Sequence, residues 1–343
     1  MTVINAIKFN HYSGAMVCDE ERTLDLKRRL CTVDKIQNIV SDEILKEQNI
    51  CAFLGNTGTL SYGHELQNRI RDHIIKEYEK EKKKFDGIPE NFLTVGDIAE
   101  KAYSIMCDIK HRLIDEMLMG KFGFVTKDFI QGFYKKDDKK YEITTEEILK
   151  GAEECITWKK RDEFLDRVFI NLSLIAGFDP ENGFQMYRMS LPHGLSEPCT
   201  TFIQSEGSGT DACDLYFSEL LRRKTQAQRR EGIEPVEGII ALIEATNVSL
   251  RVNIGIGGYF NIVLMDMEKE RPQERAIEIN DNRSKLAMEI VDSMHTGFLT
   301  EENCKDLILR LIFLNNSFEK VHKNFFKASK KPGEMGKYLR GHK

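Results

Sequence analysis

A chain of 343 residues with 41% hydrophobic and 31% charged residues and a formal net charge of −5 has the composition of a globular protein and excludes a fibrous or disordered one. No apolar run reaches about 18 residues and no charged start precedes a short apolar segment, so neither a membrane span nor a secretory signal is expected and the reading is cytoplasmic. The eight cysteines show no CxxC or Cys/His spacing, which argues against a disulfide framework or a zinc site, and basic runs such as Lys80 to Lys84 and Lys135 to Lys140 sit among acidic neighbours as solvated helix faces do, which argues against nucleic acid.

In chain order, Thr2 to Phe9 and Gly14 to Cys18 read as two strands joined by a turn at His11 to Gly14. After a charged stretch, Val33 to Ile39 and Ile50 to Leu54 read as strands, the second running into "GNTGT". Leu66, Ile70, Ile74 and Tyr78 recur every four residues and predict a helix over Leu60 to Lys84, and "IPENFLTVGDIAEKAYSIM" reads as a loop with a second helix after it. Cys107 to Arg167 is charge-rich, carries the only tryptophan, Trp158, and reads as helices with a small polar excursion near "YKKDDKKYEITTEE". "VFINLSLIAGFDPENGFQMYRMS" gives two strands around turn residues Asp179 to Gly183, and "TTFIQSEGSGTDACDLYFSELLRR" a strand passing through glycines into a helix. Val236, Ile239, Ile240, Ile243 and Leu250 mark another helix, "GIGGYFNIVLMDM" a further strand, and the chain from about Asp281 is helical with a basic tail. Strands, two helices, strands, two helices, strands: the succession predicts a layered α+β sandwich with helices outside two packed sheets.

Several of these stretches, in this order, resemble the proteasome β-type subunits of the N-terminal-nucleophile hydrolases, in particular a bacterial proteasome-like member. "MTVINAIKFNHYSGAMVCDEERT" resembles the family's first hairpin, with a Thr after the initiator Met and an Asp ending the return strand. "TVDKIQNI" resembles the next strand with its buried Lys, "CAFLGNTGT" the oxyanion turn, "NLSLIAGFDPENGFQMYRMS" the following hairpin, and "SEGSGTDA" the Gly-Ser-Gly turn ahead of a helix. The resemblance implies a four-layer αββα sandwich core over residues 1–106 and 167–267, with a helical insertion at 107–166 and a helical C-terminal extension at 268–343.

It also implies a site. Thr2, with Met1 removed, combines nucleophile and base, because an N-terminal Thr carries its own amine with an unperturbed pKa near 8. The Lys35 ammonium would depress the pKa of that amine by repulsion and favour the ionised hydroxyl, and Asp19 would fix and orient Lys35. A hairpin turning near His11 and Tyr12 puts Asp19 opposite Ile4, with Thr2, Ile4 and Asp19 on one face. The N–H of Gly55, in a turn, would bind the tetrahedral oxyanion. Ser208 would orient the amine or a water, with Gly207 and Gly209 around it. Aligning "GIGG" with the family's glycine pair puts Asn253 where an Asp is usual and Ile256 where a Ser is usual, which alters the shell that supports Thr2.

Each residue also has a plain structural role: Thr2 an ordinary second residue, Asp19 a turn residue, Lys35 a strand-edge charge, the glycines connectors, His64 and His193 surface or satisfied histidines, and Cys18 core. Three functions fit the whole. The leading one is a self-assembling threonine peptidase or amidohydrolase acting on polypeptides, without metal or cofactor. The others are an acyl-transferring, ligase-type enzyme, and an inactive homologue serving in assembly or interaction. The resemblance implies a homo-oligomer and leaves room for an unfoldase ATPase partner. Apolar positions such as Ile114, Met117 and Leu118, and Leu307, Leu309, Leu311 and Leu314, offer stripes to be buried either between copies or against their own chain.

Overall fold

β1 (Val3–Lys8) and β2 (Ser13–Asp19) form the first hairpin. Its turn is made by Asn10, whose side-chain oxygen accepts from Tyr12 N–H at 2.7 Å and from Ser13 Oγ at 3.0 Å, the local bonding by which Asn favours turns. Gly14 therefore lies inside β2 and not in the turn. The computed structural model describes residues 2–24, 28–31, 35–89, 92–137, 139–157, 170–191, 194–253 and 258–341. Trp158, His193 and Ile256, and residues 32–34 of the expected third strand, lie outside these.

The charged stretch after the hairpin holds two short paired strands, β3 (Glu21–Leu24) and β4 (Arg28–Cys31). β5 (Ile36–Asn38) is shorter than expected. It leads to α1 (Asp42–Gln48), where Ser41 Oγ accepts from Ile44 N–H at 3.3 Å and Asn49 closes the helix in the left-handed region. That helix buries only Ile44 and Leu45, too short a stripe to register as periodic. β6 (Cys51–Thr57), α2 (Leu60–Lys84) and α3 (Val95–Phe122) follow, the last started by a Thr94–Asp97 capping box. Next come α4 (Thr126–Gln131), β7 (Phe133–Lys136), β8 (Lys139–Glu142) and α5 (Glu146–Thr157), so the polar excursion is a β7–β8 hairpin. The second half runs β9 (Leu172–Asp179), β10 (Gly183–Ser190), β11 (Leu195–Pro198), β12 (Ile203–Gly207), α6 (Thr210–Arg222), α7 (Gln228–Glu231), α8 (Pro235–Val252), β13 (Phe260–Asp266), β14 (Ala276–Ile279), α9 (Asn282–His295), α10 (Glu301–Ile308), α11 (Phe318–Ala328) and α12 (Pro332–Gly341).

Helices and strands thus come in blocks, an α+β arrangement. Five strands pair in the order β12-β1-β2-β13-β14 and five in the order β11-β10-β9-β6-β5. Strand parity decides where each side chain goes. Val3 and Ile7 of β1 pack with Val17, Phe260, and Ile239 and Ile243 of α8. Ile4 and Ala6, on the opposite side, pack with Met16 and with Phe53, Leu174 and Phe178 of the second sheet. The second sheet's other face places Leu54 and Ile175 against Leu66 and Ile70 of α2 and Ile98 and Ile109 of α3. Burial on both sides explains why β1 and β6 read as continuous apolar runs. Each fully buried Leu, Ile or Phe contributes about 1.5–3 kcal/mol.

Ile114, Met117 and Leu118 pack with Phe124, Ile143 and Cys155 in a cluster of their own, and Leu307 and Leu311 join the core beside α8. Of the helical apolar positions singled out above, these five are covered by their own chain, while Leu309 and Leu314 are 38% and 59% exposed. No helix among the described residues is long and apolar enough to cross a membrane.

Candidate functional site

The first hairpin pairs Ile4 with Cys18 and Lys8 with Gly14. Asp19 is therefore one residue past the position expected for it, and its backbone lies beside Phe260 of β13. A one-residue change of register reverses the face on which a strand residue emerges, so Asp19 does not share the face of Ile4. Its carboxylate instead closes the end of the hairpin: Oδ1 accepts from Val3 N–H at 3.0 Å. The same oxygen receives Lys35 Nζ at 2.8 Å, with both side chains buried. Lys35 immediately precedes β5, and its carbonyl accepts from Asn56 N–H of β6 at 3.2 Å. The ion pair therefore ties the end of one sheet to the start of the other. Cys18, alongside, is fully buried, and burial pushes its thiol up against the smaller opposing pull of Lys35. It stays protonated and is core, not a nucleophile.

Thr2 meets the loop after β12. Val3 is paired with Gly207, whose φ is +113°, and a Cβ there would lie 2.3 Å from the Thr2 carbonyl oxygen. Only glycine lets β12 approach so closely in that conformation. Thr2 N–H then donates to Ser208 Oγ at 3.0 Å, Gly209 N–H donates to Thr2 O at 3.3 Å, and Ser208 Oγ also donates to Thr2 O at 3.4 Å. Thr2, Asp19, Lys35, Ser208, Gly207 and Gly209 come from four separate stretches of sequence. Val3, next to Thr2, joins them through its N–H.

Two of the expected residues are placed differently. Asn253 caps the end of α8, and its Nδ2 donates back to Ser249 O at 3.2 Å and Ser249 Oγ at 3.3 Å; these bonds run along its own helix and reach Ser249, not Thr2 itself. Gly55 is not in a turn. It sits within β6, opposite Ile36 on one side and Leu174 on the other. Ile39 N–H donates to Ala52 O and Asn56 N–H to Lys35 O, so by antiparallel alternation the main chain of Gly55 points the other way, into the ladder with β9. The strand continues because Asn56 and Thr57 still face Ser173 and Leu172, and it ends at Gly58, φ +106°. What Gly55 supplies is space: a Cβ there would stand 2.8 Å from Ile4 Cγ2 of the facing sheet.

Two residues near the site are absent from the sequence reading. Ser249, fully buried in α8, donates to the Gly209 carbonyl at 3.0 Å. Glu206, fully buried in β12 and opposite Ile4, pairs with Arg188 of the second sheet at 2.5 Å and accepts from Gln204 Nε2 at 3.1 Å. Burial pushes its carboxyl up to about 7, the Arg188 guanidinium pulling partly back. A mid-helix Ser and a strand Glu look like surface residues in one dimension; no local pattern marks either. Among the described residues no group of His, Cys, Asp and Glu is placed to hold a metal ion.

No family model and no curated protein matches this sequence. Solved structures match in fold. A mutant Anbu from Hyphomicrobium sp. strain MC1 superposes with a TM-score of 0.51 at 11% identity, over 87% of this chain and 98% of that one. Anbu, described as an ancestral beta-subunit, from Yersinia bercovieri superposes with a TM-score of 0.52 at 9% identity, over 86% of this chain and 94% of that one. At such identities the likeness is one of fold. It corrects the family expected from the motifs: these neighbours are Anbu proteins, proteasome-like but distinct, and the chain is not a proteasome β-type subunit proper. Hairpin and glycine-turn motifs follow from strand pairing and close approach, which related folds share, so they do not separate one such family from another.

Proposed function

We propose that this chain is a proteasome-related amide hydrolase that uses Thr2, freed by removal of Met1, as its nucleophile, on a four-layer αββα sandwich. The supporting observation is the single oxygen Asp19 Oδ1, which accepts from Lys35 Nζ at 2.8 Å and from Val3 N–H at 3.0 Å, and so places a buried ammonium beside the start of β1. In the reaction, Thr2 Oγ1 attacks the carbonyl carbon of an amide while its proton passes to the Thr2 amine. The tetrahedral intermediate collapses as the amine returns that proton to the leaving nitrogen, leaving an ester on Thr2. Water, deprotonated by the same amine, then attacks the ester and releases the acid. Lys35 favours the ionised hydroxyl by charge, Asp19 holds Lys35, and Ser208 Oγ orients the amine. Gly55 spaces the sheets, and the oxyanion donor is another group.

Polypeptides are the proposed substrates, and residues 107–166 and 268–343 additions to a core over 1–106 and 167–267. The superpositions cover nearly all of each Anbu chain and a smaller share of this one, which fits a core with additions. Self-association is part of the proposal, with exposed Leu309 and Leu314 as apolar positions still open to a second copy; a 39.6 kDa species in light scattering, active as such, would remove it. The function itself is tested by incubating the protein with a threonine-directed electrophile and mapping the adduct by mass. An adduct on the Thr2 amine and hydroxyl is expected, and a chain that lacks Met1 yet never labels there is inactive.

A further inference from the structure

A serine inside a helix ordinarily returns its hydroxyl to the carbonyl four residues back. Thr246 of α8 does this, donating to Leu242 O at 2.7 Å. Ser249, three residues on, does not. Its hydroxyl leaves the helix and donates to the carbonyl of Gly209, the cap residue at the start of α6, at 3.0 Å. The carbonyl that it forgoes, Ala245 O, is taken instead by the thiol of Cys213 from α6 at 3.3 Å. The two helices have therefore exchanged bonds, Ser249 reaching Gly209 and Cys213 reaching Ala245. The bond that α6 itself makes to the Gly209 carbonyl, from Cys213 N–H, is long at 3.4 Å, so Ser249 is the tighter donor on that oxygen. Asn253 Nδ2 fills the acceptor side of Ser249 Oγ at 3.3 Å, which leaves the hydroxyl proton aimed at Gly209. On its other side Gly209 donates its N–H to Thr2 O at 3.3 Å, and the residue before it, Ser208, accepts from Thr2 N–H at 3.0 Å.

We propose that Ser249 is a positioning residue for the Thr2 site: by fixing the Gly209 carbonyl it sets where Ser208 Oγ meets the Thr2 amine, with Asn253 fixing Ser249 in turn. This rests on the reading of Thr2 as nucleophile. It gives Asn253 a task other than the charged one that an Asp would perform there, acting through Ser249 and not on Thr2.

The test is the rate at which the full chain forms the Thr2 adduct, followed against electrophile concentration and pH, in the native protein and in Ser249→Ala. One buried hydrogen bond lost from a positioning chain should lower the maximal rate roughly fivefold to tenfold and leave the half-saturating concentration unchanged. Ser208 Oγ stabilises the charged amine by accepting from it, so loosening Ser208 should also move the pH midpoint of labelling downward. Ser249→Cys, of similar shape and with a weaker donor, should shift both in the same direction by less, and serves if Ser249→Ala does not fold. A lower melting temperature with an unmoved maximal rate and pH midpoint would overturn the positioning role and leave the nucleophile reading standing. A native protein that does not label at Thr2 would overturn both.

Discussion

Lys35 Nζ and Asp19 Oδ1 lie 2.8 Å apart in a pair that has almost no solvent access. Desolvating two charges is expensive, and a well-packed apolar pair of the same volume often serves stability as well or better. A buried ion pair between the end of β2 and the start of β5 therefore needs another justification. The proposed function offers one, since the same carboxylate oxygen holds Val3 N–H and keeps the ammonium beside the start of β1.

Removing Lys35 alone leaves the Asp19 carboxylate buried without its ammonium. Lys35→Ala should lose about 3–5 kcal/mol of stability and roughly 10²- to 10⁴-fold in adduct rate, the range of acid–base assistance. Stability and chemistry separate in the double variant Asp19→Leu, Lys35→Met, which should recover most of the stability and none of the rate. Urea unfolding and labelling kinetics on the three proteins check this; undiminished labelling by Lys35→Ala would remove the ammonium from the mechanism.

Thr2 is only partly buried, and the bonds that its N–H and carbonyl make to Ser208 and Gly209 are available to any residue at that position. Thr2→Ala should therefore keep its unfolding midpoint, within about 0.5 kcal/mol, and lose labelling altogether. Thr2→Ser, which keeps the hydroxyl, should still label. Intact mass on each should show Met1 absent, because the retained residue would convert the amine to an amide and remove the base. Hydrolysis by Thr2→Ala at the native rate would end the proposal.

What was legible in the sequence was what local chemistry writes. The first hairpin and the long stripe of α2 follow from patterns a few residues wide, whereas a meeting of Thr2 with the distant Gly207–Gly209 turn was implied only by the family resemblance. The register was not legible, because the turn is decided by the side chain of Asn10 and not by Gly14, and a single residue moves Asp19 off the face of Ile4. Gly55 read as a turn because its strand partners, Ile36 and Leu174, are distant in sequence. Ser249 and Glu206 were invisible for the same reason: each is specified by a partner, Gly209 or Arg188, on another element.

At Gly55 a Cβ would stand 2.8 Å from Ile4 Cγ2 and 3.0 Å from Ile4 Cδ1, and Ile4 is fully buried between the two sheets. Gly55→Ala should cost about 1–3 kcal/mol by forcing the sheets apart. It keeps the N–H, so the adduct rate per folded molecule should not change. Chemical denaturation and labelling on one preparation decide it: a stable variant that labels slowly would return Gly55 to the reaction.

Glu206 makes stability depend on pH in a direction opposite to the usual carboxylate. Burial raises its carboxyl from 4.5 to about 7 despite the Arg188 guanidinium and the Gln204 amide, both of which pull it down. Between those values the folded chain holds a proton that the unfolded chain has released. The contribution is complete below the unfolded value, shrinks as pH rises toward 7, and is lost once pH passes the folded value. Glu206→Gln keeps the shape without a titrating proton, so its stability relative to the native protein should climb across this window, by up to about 1.4 kcal/mol per unit of pKa shift, and level off above it. Arg188→Met removes the cation that restrains the rise, so its window should extend to higher pH. Urea midpoints for the three proteins from about pH 5 to 8 read this directly. Parallel curves for the native protein and Glu206→Gln would mean that the proton resides elsewhere and that Glu206 is ionised beside Arg188 throughout.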